Sequence, residues 1–415
     1  MKIYLVGGAV RNKLLGLKVI ERDWVVVGSS VQEMLDLDFI QVGKNFPVFL
    51  HPKTKEEYAL ARTEQKISRG YQGFEFNSHN VSLEEDLLRR DLTINAIAQD
   101  EFGNLIDPYG GQQDLKERKL KAVSDAFVED PVRVLRVARF VAQLGEFNFQ
   151  VDQNTHLMMQ RMVQNGEVDA LVAERVWQET KKALATENPE KYFLTLRLSG
   201  ALARILPEID NLFGVPQTKK YHPEIDVGVH TMMVLQQACI LSPKLEVRFA
   251  SLVHDLGKGN TSSDILPSHY GHESRGVDLV KSLAKRLKLP NKYLNFALLV
   301  TKYHGYYHKV EDELRPNTII KLLDSLGAFS HPERFQDFLL ACEADQRGRL
   351  HFEDLDYPHR EIFNQIFAQA SKITAKPFVE QGLIGEEIKQ ALYQARVNCV
   401  SKLVKTLRQK HSEVQ

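Results

Sequence analysis

The chain has 415 residues, enough for two or three domains, and its 54 lysines and arginines balance its 54 aspartates and glutamates. This balance excludes a global positive field, so any nucleic-acid binding has to rest on local basic patches. The hydrophobic fraction of 43% is that of an ordinary soluble globular protein, and no apolar run approaches membrane-spanning length. Three scattered cysteines, Cys239, Cys342 and Cys399, fit reduced thiols in a cytoplasmic protein.

The first 108 residues or so mix short runs rich in Val, Ile and Phe with turns, which is typical of a small α/β or α+β domain. Asp-Pro-Tyr-Gly-Gly at 107–111 ends this part of the chain. Predicted strands lie at residues 2–6, 24–27, 46–51 and 57–63, with a further pair at 94–99 and 104–106.

After residue 111 the pattern is helical as far as Gly-Val-Pro at 214–216. Most of the histidines follow between residues 222 and 330, and the remainder has the pattern of amphipathic helices with a charged tail. Predicted helices of the first helical block lie at residues 131–144, 154–163, 174–186 and 189–199.

Two carboxylates, Glu21 and Asp23, stand directly before the run Trp-Val-Val-Val. This run predicts a strand, on which residues i and i+2 point to one face, so both carboxylates would reach the same Mg²⁺ ions. Upstream, Gly-Gly-Ala-Val-Arg at 7–11 predicts a turn into a helix near residue 10, whose free N–H groups and Arg11 face a phosphate tail. Either half alone is better explained by a tight turn or a solvated charged turn, but the two together favour a nucleotide site.

An arginine pair, Arg89 and Arg90, precedes Asp91 and Asn95. Forked guanidinium groups suit triphosphate oxygens because each donates in a bidentate way, and an Asp or Asn side chain suits a ribose hydroxyl. Taken alone, this segment fits a surface charge cluster that caps a helix better than it fits a binding site.

A basic stripe is predicted on the helix that begins near Pro131. Arg133, Arg136 and Arg139 recur every third residue with no acid between them, which indicates an anionic partner. Asp130 and Arg133 lie one turn apart and offer an acceptor and a forked donor, a set that can recognise the Watson–Crick edge of a base.

Histidines and aspartates form a third set of candidate residues. His230 lies in a helical stretch, the doublet of His254 and Asp255 follows an apolar run, and Asp345 comes late in the chain. Imidazole and carboxylate together suit a transition metal or Mg²⁺ that activates water.

Four more histidines occupy the same region: His269, His272, His304 and His308. A lone histidine on an apolar helix is usually an ordinary core or surface residue. We place His269 and His308 in that class.

In this order the motifs resemble those of bacterial class II tRNA nucleotidyltransferases, which add or repair the 3′ CCA end of tRNA. The motifs are those at 7–11, 21–23, 89–95 and 129–136, and the His-Asp region resembles an HD phosphohydrolase domain. The resemblance covers essentially the whole chain and implies an α+β fold. The implied domains are a polymerase β-like mixed α/β head at 1–110, a helical neck and body with base recognition at 111–216, an HD domain at 222–330 and a helical tail at 331–415.

The resemblance also implies roles for individual residues. Glu21 and Asp23 take the catalytic, Mg²⁺-binding positions, while Asp130 and Arg133 act as the protein template for cytosine and then adenine. Positions expected to contact the nucleotide are Gly8, Arg11, Arg90, Asp91, Asn95, Asp130, Arg133, Arg136 and Arg139.

For the HD domain, the resemblance assigns His230, His254, Asp255 and Asp345 to a divalent metal: Mg²⁺, Ni²⁺ or another transition metal. The implied activities are those of a phosphatase and a 2′,3′-cyclic phosphodiesterase. Whether the HD domain is active, and which metal it prefers, stays open at this stage.

At positions 12 and 21 the chain differs from the family, which usually has Asp at both. Glu21 keeps the charge but adds a methylene, and Mg²⁺ demands near-ideal octahedral geometry at about 2.0–2.1 Å. Asn12 removes a charge beside Arg11, which we expect to leave that arginine freer for phosphate. Both departures bear on catalytic rate more than on fold.

The expected reaction is in-line attack of a tRNA 3′-hydroxyl on the α-phosphate of CTP or ATP, without a nucleic-acid template. The expected partners are tRNA, CTP and ATP, with no membrane, and a homodimer is left open. Two alternatives remain: a poly(A) polymerase of the same superfamily, which would not be expected to carry an HD domain, and a non-catalytic RNA-binding protein with a decayed site. Asp23, Arg90, Asp130 and Arg133 are retained, which disfavours the second.

Overall fold

The structure is a computed structural model that describes residues 1–42, 48–66, 74–310 and 313–412. The chain divides into two compact units, Met1–Ile205 and Leu206–Gln415. Among the described residues, no helix has both the length and the apolar character needed to cross a membrane.

The first unit is built on a seven-stranded mixed sheet in the order β3-β4-β5-β2-β1-β8-β9. Strand β1 pairs antiparallel with β2, which places Val6 opposite Asp23, and β2 pairs parallel with β5. The seven strands are β1 (Lys2–Val6), β2 (Asp23–Val27), β3 (Ile40–Gln41), β4 (Val48–Leu50), β5 (Glu57–Leu60), β8 (Ala98–Gln99) and β9 (Leu105–Ile106).

Successive side chains of β2 enter different cores because a strand alternates its faces. Val25 packs with Val6 and Leu87 on one face, whereas Val26 packs with Met34 and Phe49 on the other. The central part of the sheet is therefore covered on both sides. Two short ladders accompany it, β6 (Thr63–Lys66) with β7 (Phe74–Asn77) and β10 (Lys119–Leu120) with β11 (Gln150–Val151).

Helices of the first unit cover the sheet and then form an all-helical layer. Helix α5 is buried along almost its whole length and packs against α7 and α8. The helices are α1 (Gly8–Leu14), α2 (Val31–Asp36), α3 (Leu83–Leu88), α4 (Gly111–Glu117), α5 (Val132–Gln143), α6 (Gln153–Gln164), α7 (Ala173–Leu184), α8 (Glu190–Leu198) and α9 (Ala201–Ile205).

The described part of the second unit is helical, with α12 packed against α11, α14 and α16. Farther along the chain, α19 packs against α15 and α17. The helices are α10 (Pro207–Asp210), α11 (Val227–Leu241), α12 (Leu245–Val253), α13 (His272–Leu287), α14 (Asn291–Tyr307), α15 (Pro316–Ser325), α16 (Pro332–Arg347), α17 (His359–Ser371), α18 (Lys376–Glu380) and α19 (Gly385–Ser412).

The predicted α+β class, with a mixed head and a helical remainder, is confirmed. The strand predicted at 57–63 is in fact two, because β5 ends at Leu60 and β6 begins at Thr63. The strand predicted at 94–99 is wrong in its first half, since Thr93–Asn95 forms a 3₁₀ turn closed by the bond from the Asn95 amide to the Leu92 carbonyl. The strand predicted at 46–51 is observed as β4, and residues 46 and 47 lie outside the described residues.

Two candidate functional sites

A cavity of about 1090 Å³ in the first unit is the first candidate site. It gathers residues from the β1–α1 turn, the start of β2, the segment after α3, and helices α5 and α7. Every residue predicted for nucleotide transfer lines it: Gly8, Arg11, Glu21, Asp23, Arg90, Asp91, Asn95, Asp130, Arg133, Arg136 and Arg139.

The turn between β1 and α1 depends on glycine. Gly7 caps α1 with a φ of +70°, a conformation that other residues rarely adopt, and α1 begins at Gly8, earlier than predicted. A Cβ atom on Gly7 would lie 3.2 Å from the Arg90 Nη1 atom. Because Gly7 has no side chain, Arg90 can approach the backbone at the start of the helix.

The carboxylate pair is positioned differently from the prediction. Strand β2 begins at Asp23, so Glu21 lies in the irregular segment before it, and the inference that both stand on one strand face is wrong for Glu21. Both still line the cavity. Loss of hydration raises the pKa of Asp23, and although Arg90 lowers it, Glu21 adds to the rise. Two neighbouring carboxylates that repel one another in this way suit a shared cation.

A buried chain of hydrogen bonds joins two arginines across the cavity wall. Arg11 Nη1 donates to Asn95 Oδ1 at 2.7 Å, Asn95 Nδ2 donates to Asp91 Oδ1 at 3.0 Å, and Arg136 Nε donates to Asp91 Oδ2 at 2.6 Å. The Leu92 amide also donates to Asp91 Oδ1 at 2.9 Å. Burial alone would raise the pKa of Asp91, but Arg136 and Asn95 outweigh it and hold that pKa well below its usual range.

Asn12 does not free Arg11, contrary to expectation. Its side-chain oxygen accepts from Arg11 Nη2 at 2.8 Å and from Arg11 Nε at 3.1 Å. Burial and the charge of Arg139 lower the pKa of Arg11 to about 10. The amide therefore still orients the guanidinium, and what the missing carboxylate would have added is charge rather than position.

Asp86, which no sequence pattern marked as a site residue, binds both arginines of the pair. It is completely buried in α3, and its Oδ1 accepts from Arg89 Nη2 at 2.6 Å while its Oδ2 accepts from Arg90 Nη2 at 3.1 Å. The Arg62 amide also donates to it at 3.2 Å. Asp86 thus holds both guanidinium groups from inside the fold, and both arginines also line the cavity.

The predicted basic stripe on α5 has partners within the protein. Arg136 pairs with Asp91, Arg139 Nε lies 2.6 Å from Glu179 on α7, and Arg133 donates to the Ala126 and Arg89 carbonyls at 2.6 and 2.5 Å. The inference that three arginines await an external anion is therefore too simple. They are fixed in place by buried acceptors while still lining the cavity.

Phe140, on the same helix, is a further residue that sequence analysis missed. Three guanidinium groups lie over its ring, at 5.0 Å for Arg11, 5.7 Å for Arg136 and 4.2 Å for Arg139. An aromatic face attracts cations, so this ring holds like charges together that would otherwise repel.

Asp130 has a different neighbour from the predicted one. Its carboxylate oxygens lie 3.4 and 3.5 Å from the guanidinium of Arg175, which lines the cavity from α7. Arg133 lines the same cavity, but two of its N–H groups donate to carbonyls. Asp130 Oδ1 also accepts from the Val132 amide at 3.0 Å, so Asp130 faces Arg175 across the cavity while the start of α5 holds it in place.

The second candidate site lies in the second unit and contains the four predicted residues. His230 Nε2 lies 3.0 Å from Asp345 Oδ1, and His254 Nε2 lies 3.6 Å from that same oxygen and 3.2 Å from Asp255 Oδ2. All four side chains are almost completely buried. His230 lies on α11 and Asp345 on α16, while His254 and Asp255 directly follow the end of α12. Because α11, α12 and α16 pack together, residues over a hundred positions apart meet.

His308 belongs to this cluster, so its interpretation as an ordinary core or surface histidine is wrong. Its Nε2 atom lies 2.8 Å from Asp345 Oδ2. His269, by contrast, has both ring nitrogens engaged, one with the Thr261 hydroxyl at 2.8 Å and one with the Pro216 carbonyl at 3.1 Å.

Comparison with known proteins identifies the family. The chain is 57% identical over 404 residues to the multifunctional CCA protein of Thioalkalivibrio sulfidiphilus, an alignment that covers 97% of this chain and 98% of the relative. The chain belongs to the multifunctional CCA protein family. Its relative in Vibrio cholerae is 54% identical over 97% of this chain and the whole of that protein.

Three family models match segments of this multifunctional CCA protein family member: a poly A polymerase head domain at residues 3–121, a probable RNA and SrmB-binding site of polymerase A at 148–213, and an HD domain at 227–328. The HD match includes His230, His254 and Asp255 but ends before Asp345. Membership of this family and the HD match argue against the poly(A) polymerase and the decayed RNA-binding alternatives.

Solved structures of CCA-adding enzymes share the fold. The Bacillus stearothermophilus enzyme in complex with CTP is 23% identical with a TM-score of 0.65, covering 100% of this chain and 95% of that one. The Thermotoga maritima enzyme complexed with tRNA is 18% identical with a TM-score of 0.62, covering 100% of this chain and 92% of that one.

A cation fits the donor set of the second site. His254 Nε2 and Asp255 Oδ1 are buried and have no hydrogen-bond partner among the described residues. His230, His254 and Asp345 bring one donor atom each to within 4.8 Å of one another. Burial would lower the pKa of His254, but Asp255 and Asp345 outweigh it and raise that pKa to about 10. The site thus favours positive charge at its centre.

Proposed function

We propose that the cavity of the first unit is the site at which this member of the multifunctional CCA protein family transfers nucleotides. The enzyme adds or repairs the 3′ CCA end of tRNA with CTP and ATP, and the tRNA 3′-hydroxyl attacks the α-phosphate and releases pyrophosphate. The observation that carries this proposal is the convergence of all eleven predicted transferase residues on one cavity.

In this proposal the arginines bind the triphosphate. Arg11 and Arg90 lie next to the N-terminus of α1, where free backbone N–H groups also favour phosphate. Arg136 and Arg139 extend the positive wall from α5. Because Asn95, Asp91 and Phe140 already fix these side chains, little conformational freedom is lost when the nucleotide binds.

Glu21 and Asp23 would hold Mg²⁺ at the end of the cavity that opens on β2. When bound, Mg²⁺ neutralises phosphate charge and favours ionisation of the attacking hydroxyl. Burial raises the pKa of Asp23, and the charge of Arg90 offsets part of that rise and so favours the ionised carboxylate.

Base selection falls to Asp130 and Arg133, and we add Arg175. A carboxylate acceptor beside a forked donor can match the edge of cytosine or adenine. Asp130 and Arg175 face one another in the cavity at 3.4 and 3.5 Å, which places an acceptor and a forked donor side by side where a base would bind.

We propose that the second site is a metal-dependent phosphohydrolase centre that acts on phosphomonoesters and 2′,3′-cyclic phosphates. His230, His254, Asp255 and Asp345 would hold a divalent cation, which supplies an activated water when bound. His308 donates to Asp345 and keeps its second oxygen in place. These are activities that an enzyme meeting damaged RNA 3′ ends, in the cytoplasm, can use.

One experiment tests the transferase function. The full chain is incubated with Mg²⁺, CTP, ATP and tRNAs that lack one, two or three 3′ residues, and the products are sequenced. We expect each tRNA to regain CCA and extension to stop there. Products that end in a run of adenosines, or no products, would contradict the proposal.

A further inference from the structure

Glu224 contacts His230 at the ring nitrogen that does not face Asp345. The Glu224 Oε1 atom lies 3.0 Å from His230 Nδ1, while the other ring nitrogen, Nε2, lies 3.0 Å from Asp345 Oδ1. Only 2% of the Glu224 side chain is exposed. A buried carboxylate is costly unless N–H groups satisfy it, so the groups that donate to Glu224 indicate what it holds in place.

Both oxygens of the Glu224 carboxylate are engaged. Besides His230, the Oε1 atom has His222 Nδ1 at 3.1 Å and accepts from Gln217 Nε2 at 3.4 Å. The second oxygen, Oε2, accepts from the Leu350 amide at 3.3 Å. The carboxylate is therefore fixed by residues that come before α11 in the chain and by a residue that follows α16.

The contacts of His230 determine which of its ring nitrogens carries the hydrogen. Nδ1 faces two acceptors, the Glu224 carboxylate at 3.0 Å and the Gly348 carbonyl at 3.0 Å. A carboxylate and a carbonyl can only accept, so Nδ1 carries the hydrogen in the neutral ring and Nε2 presents its lone pair on the side of Asp345. A histidine that binds a metal commonly donates its second N–H to a carboxylate or to a backbone carbonyl, and His230 has both.

Two special backbone positions bring these acceptors to His230. Ile225 has a φ of +63°, a left-handed conformation that β-branched residues rarely adopt, and its carbonyl accepts from the Gln217 amide at 2.7 Å. After α16, a Cβ atom on Gly348 would lie 2.5 Å from the Val234 side chain, so glycine is needed for this carbonyl to approach α11. Backbone strain persists where surrounding contacts impose it, and it is concentrated at functional sites.

We infer that Glu224 is a positioning residue for the hydrolase centre, which holds His230 as the Nδ1–H tautomer with Nε2 directed at the cation. This inference rests on the metal-dependent hydrolase function proposed above. A carboxylate at Nδ1 also raises the basicity of Nε2, which strengthens its bond to a cation. Glu224 supplies no ligand atom itself, because N–H groups occupy both of its oxygens.

The affinity for Ni²⁺ tests this inference in the full chain. The background carries Glu21→Ala and Asp23→Ala, so that these carboxylates of the first unit bind no metal, and calorimetry measures the dissociation constant. Glu224→Ala should weaken binding by about 10–100-fold, whereas Glu224→Gln should stay within about fivefold of the background because its amide oxygen can accept the same N–H. The matched control is Glu333→Ala, an exposed carboxylate 3.4 Å from His331 Nδ1, which should leave the affinity unchanged.

A double variant separates positioning from a general effect on the fold. Without the His230 side chain Glu224 has no ligand to orient, so Glu224→Ala should cause no further loss of affinity in a chain that already carries His230→Ala. An equal loss with and without His230, a Glu224→Gln variant as weak as Glu224→Ala, or an affinity unchanged by Glu224→Ala would overturn the inference and leave the hydrolase proposal standing. A background chain that binds no Ni²⁺ would overturn both.

Discussion

Asp91 and Asp255 are both buried carboxylates, yet their surroundings differ completely. Asp91 accepts from the Leu92 amide, Asn95 and Arg136, so both of its oxygens are occupied. Asp255 has one oxygen beside Lys258 and one with no hydrogen-bond donor in the part of the chain that the structure describes. A buried carboxylate saturated with donors is part of the scaffold, whereas one with an unsatisfied oxygen is a candidate ligand.

The same difference extends to the two sites. The cavity of the first unit is lined by arginines whose positions are fixed by Asp86, Asp91, Glu179 and Phe140, as suits a polyanionic substrate. The cluster of the second unit gathers lone pairs of imidazoles and carboxylates, as suits cations. The two sites therefore suit ligands of opposite charge.

The largest effect is expected at Asp23. Asp23→Ala should reduce CCA addition by about a thousandfold or more, because it removes a Mg²⁺ ligand worth several kcal/mol in the transition state. Single-turnover addition of one nucleotide to truncated tRNA measures this. Glu101→Ala, an exposed carboxylate outside the cavity, is the matched control. Activity within tenfold of wild type in Asp23→Ala would remove the residue from the catalytic site.

Base discrimination should depend on Asp130. Asp130→Ala is expected to relax the preference for CTP and ATP over UTP and GTP by about 10–100-fold, since a lost bidentate contact costs about 1–3 kcal/mol of discrimination. Values of kcat/KM for the four nucleotides report it, with Asp125→Ala as the control on a nearby exposed carboxylate. An equal loss for all four nucleotides would indicate a structural role instead.

Loss of the buried Asp91 carboxylate should reduce the stability of the first unit. Asp91→Asn is expected to lower the free energy of unfolding of the first unit by about 1–3 kcal/mol, because Arg136 loses its partner. Both tryptophans, Trp24 and Trp177, lie in that unit, so their fluorescence in urea reports on it alone. Asp36→Asn, at an exposed position, is the control.

This effect has a defined pH dependence. The pKa of Asp91 is lower in the folded state, so its contribution is present above the pKa of the unfolded chain and is lost as the pH falls. The difference between wild type and Asp91→Asn should therefore shrink below about pH 4. A difference that grows in acid would show that the carboxylate is not what stabilises the unit.

The smallest effect is expected at Glu21. Glu21→Asp should be tolerated and stay within about threefold of wild-type activity or exceed it, because it keeps a carboxylate ligand while shortening it by one methylene. The KM for Mg²⁺ in nucleotide addition measures the change. Inactivation by this conservative substitution would show that residue 21 does not act as an equivalent ligand.

Local patterns predicted much of this molecule. The turn at 7–8 and helix α5 follow from glycine, proline and hydrophobic spacing, which act over a few residues. Glu21 nevertheless lies outside the predicted strand, because β2 begins two residues later, at Asp23. The predicted role of every site residue stays a prediction until the variants are made.

Partners distant in sequence could not be predicted. Arg136 and Asp91 are 45 residues apart, as are Asp130 and Arg175. No local sequence pattern indicates that either pair is in contact. His308 and His272 likewise depend on how helices pack, so a histidine that looks ordinary in the sequence can reach a buried carboxylate.

The central claim, that two sites carry out two separate reactions, can be tested by assaying both activities in one pair of variants. The full chain with His254→Ala and Asp255→Ala is compared with Asp23→Ala for nucleotide addition and for hydrolysis of a 2′,3′-cyclic phosphate with Ni²⁺. We expect the first variant to retain addition and lose hydrolysis, and the second to do the reverse. Loss of both activities in either folded variant, or hydrolysis that persists without His254 and Asp255, would contradict the claim.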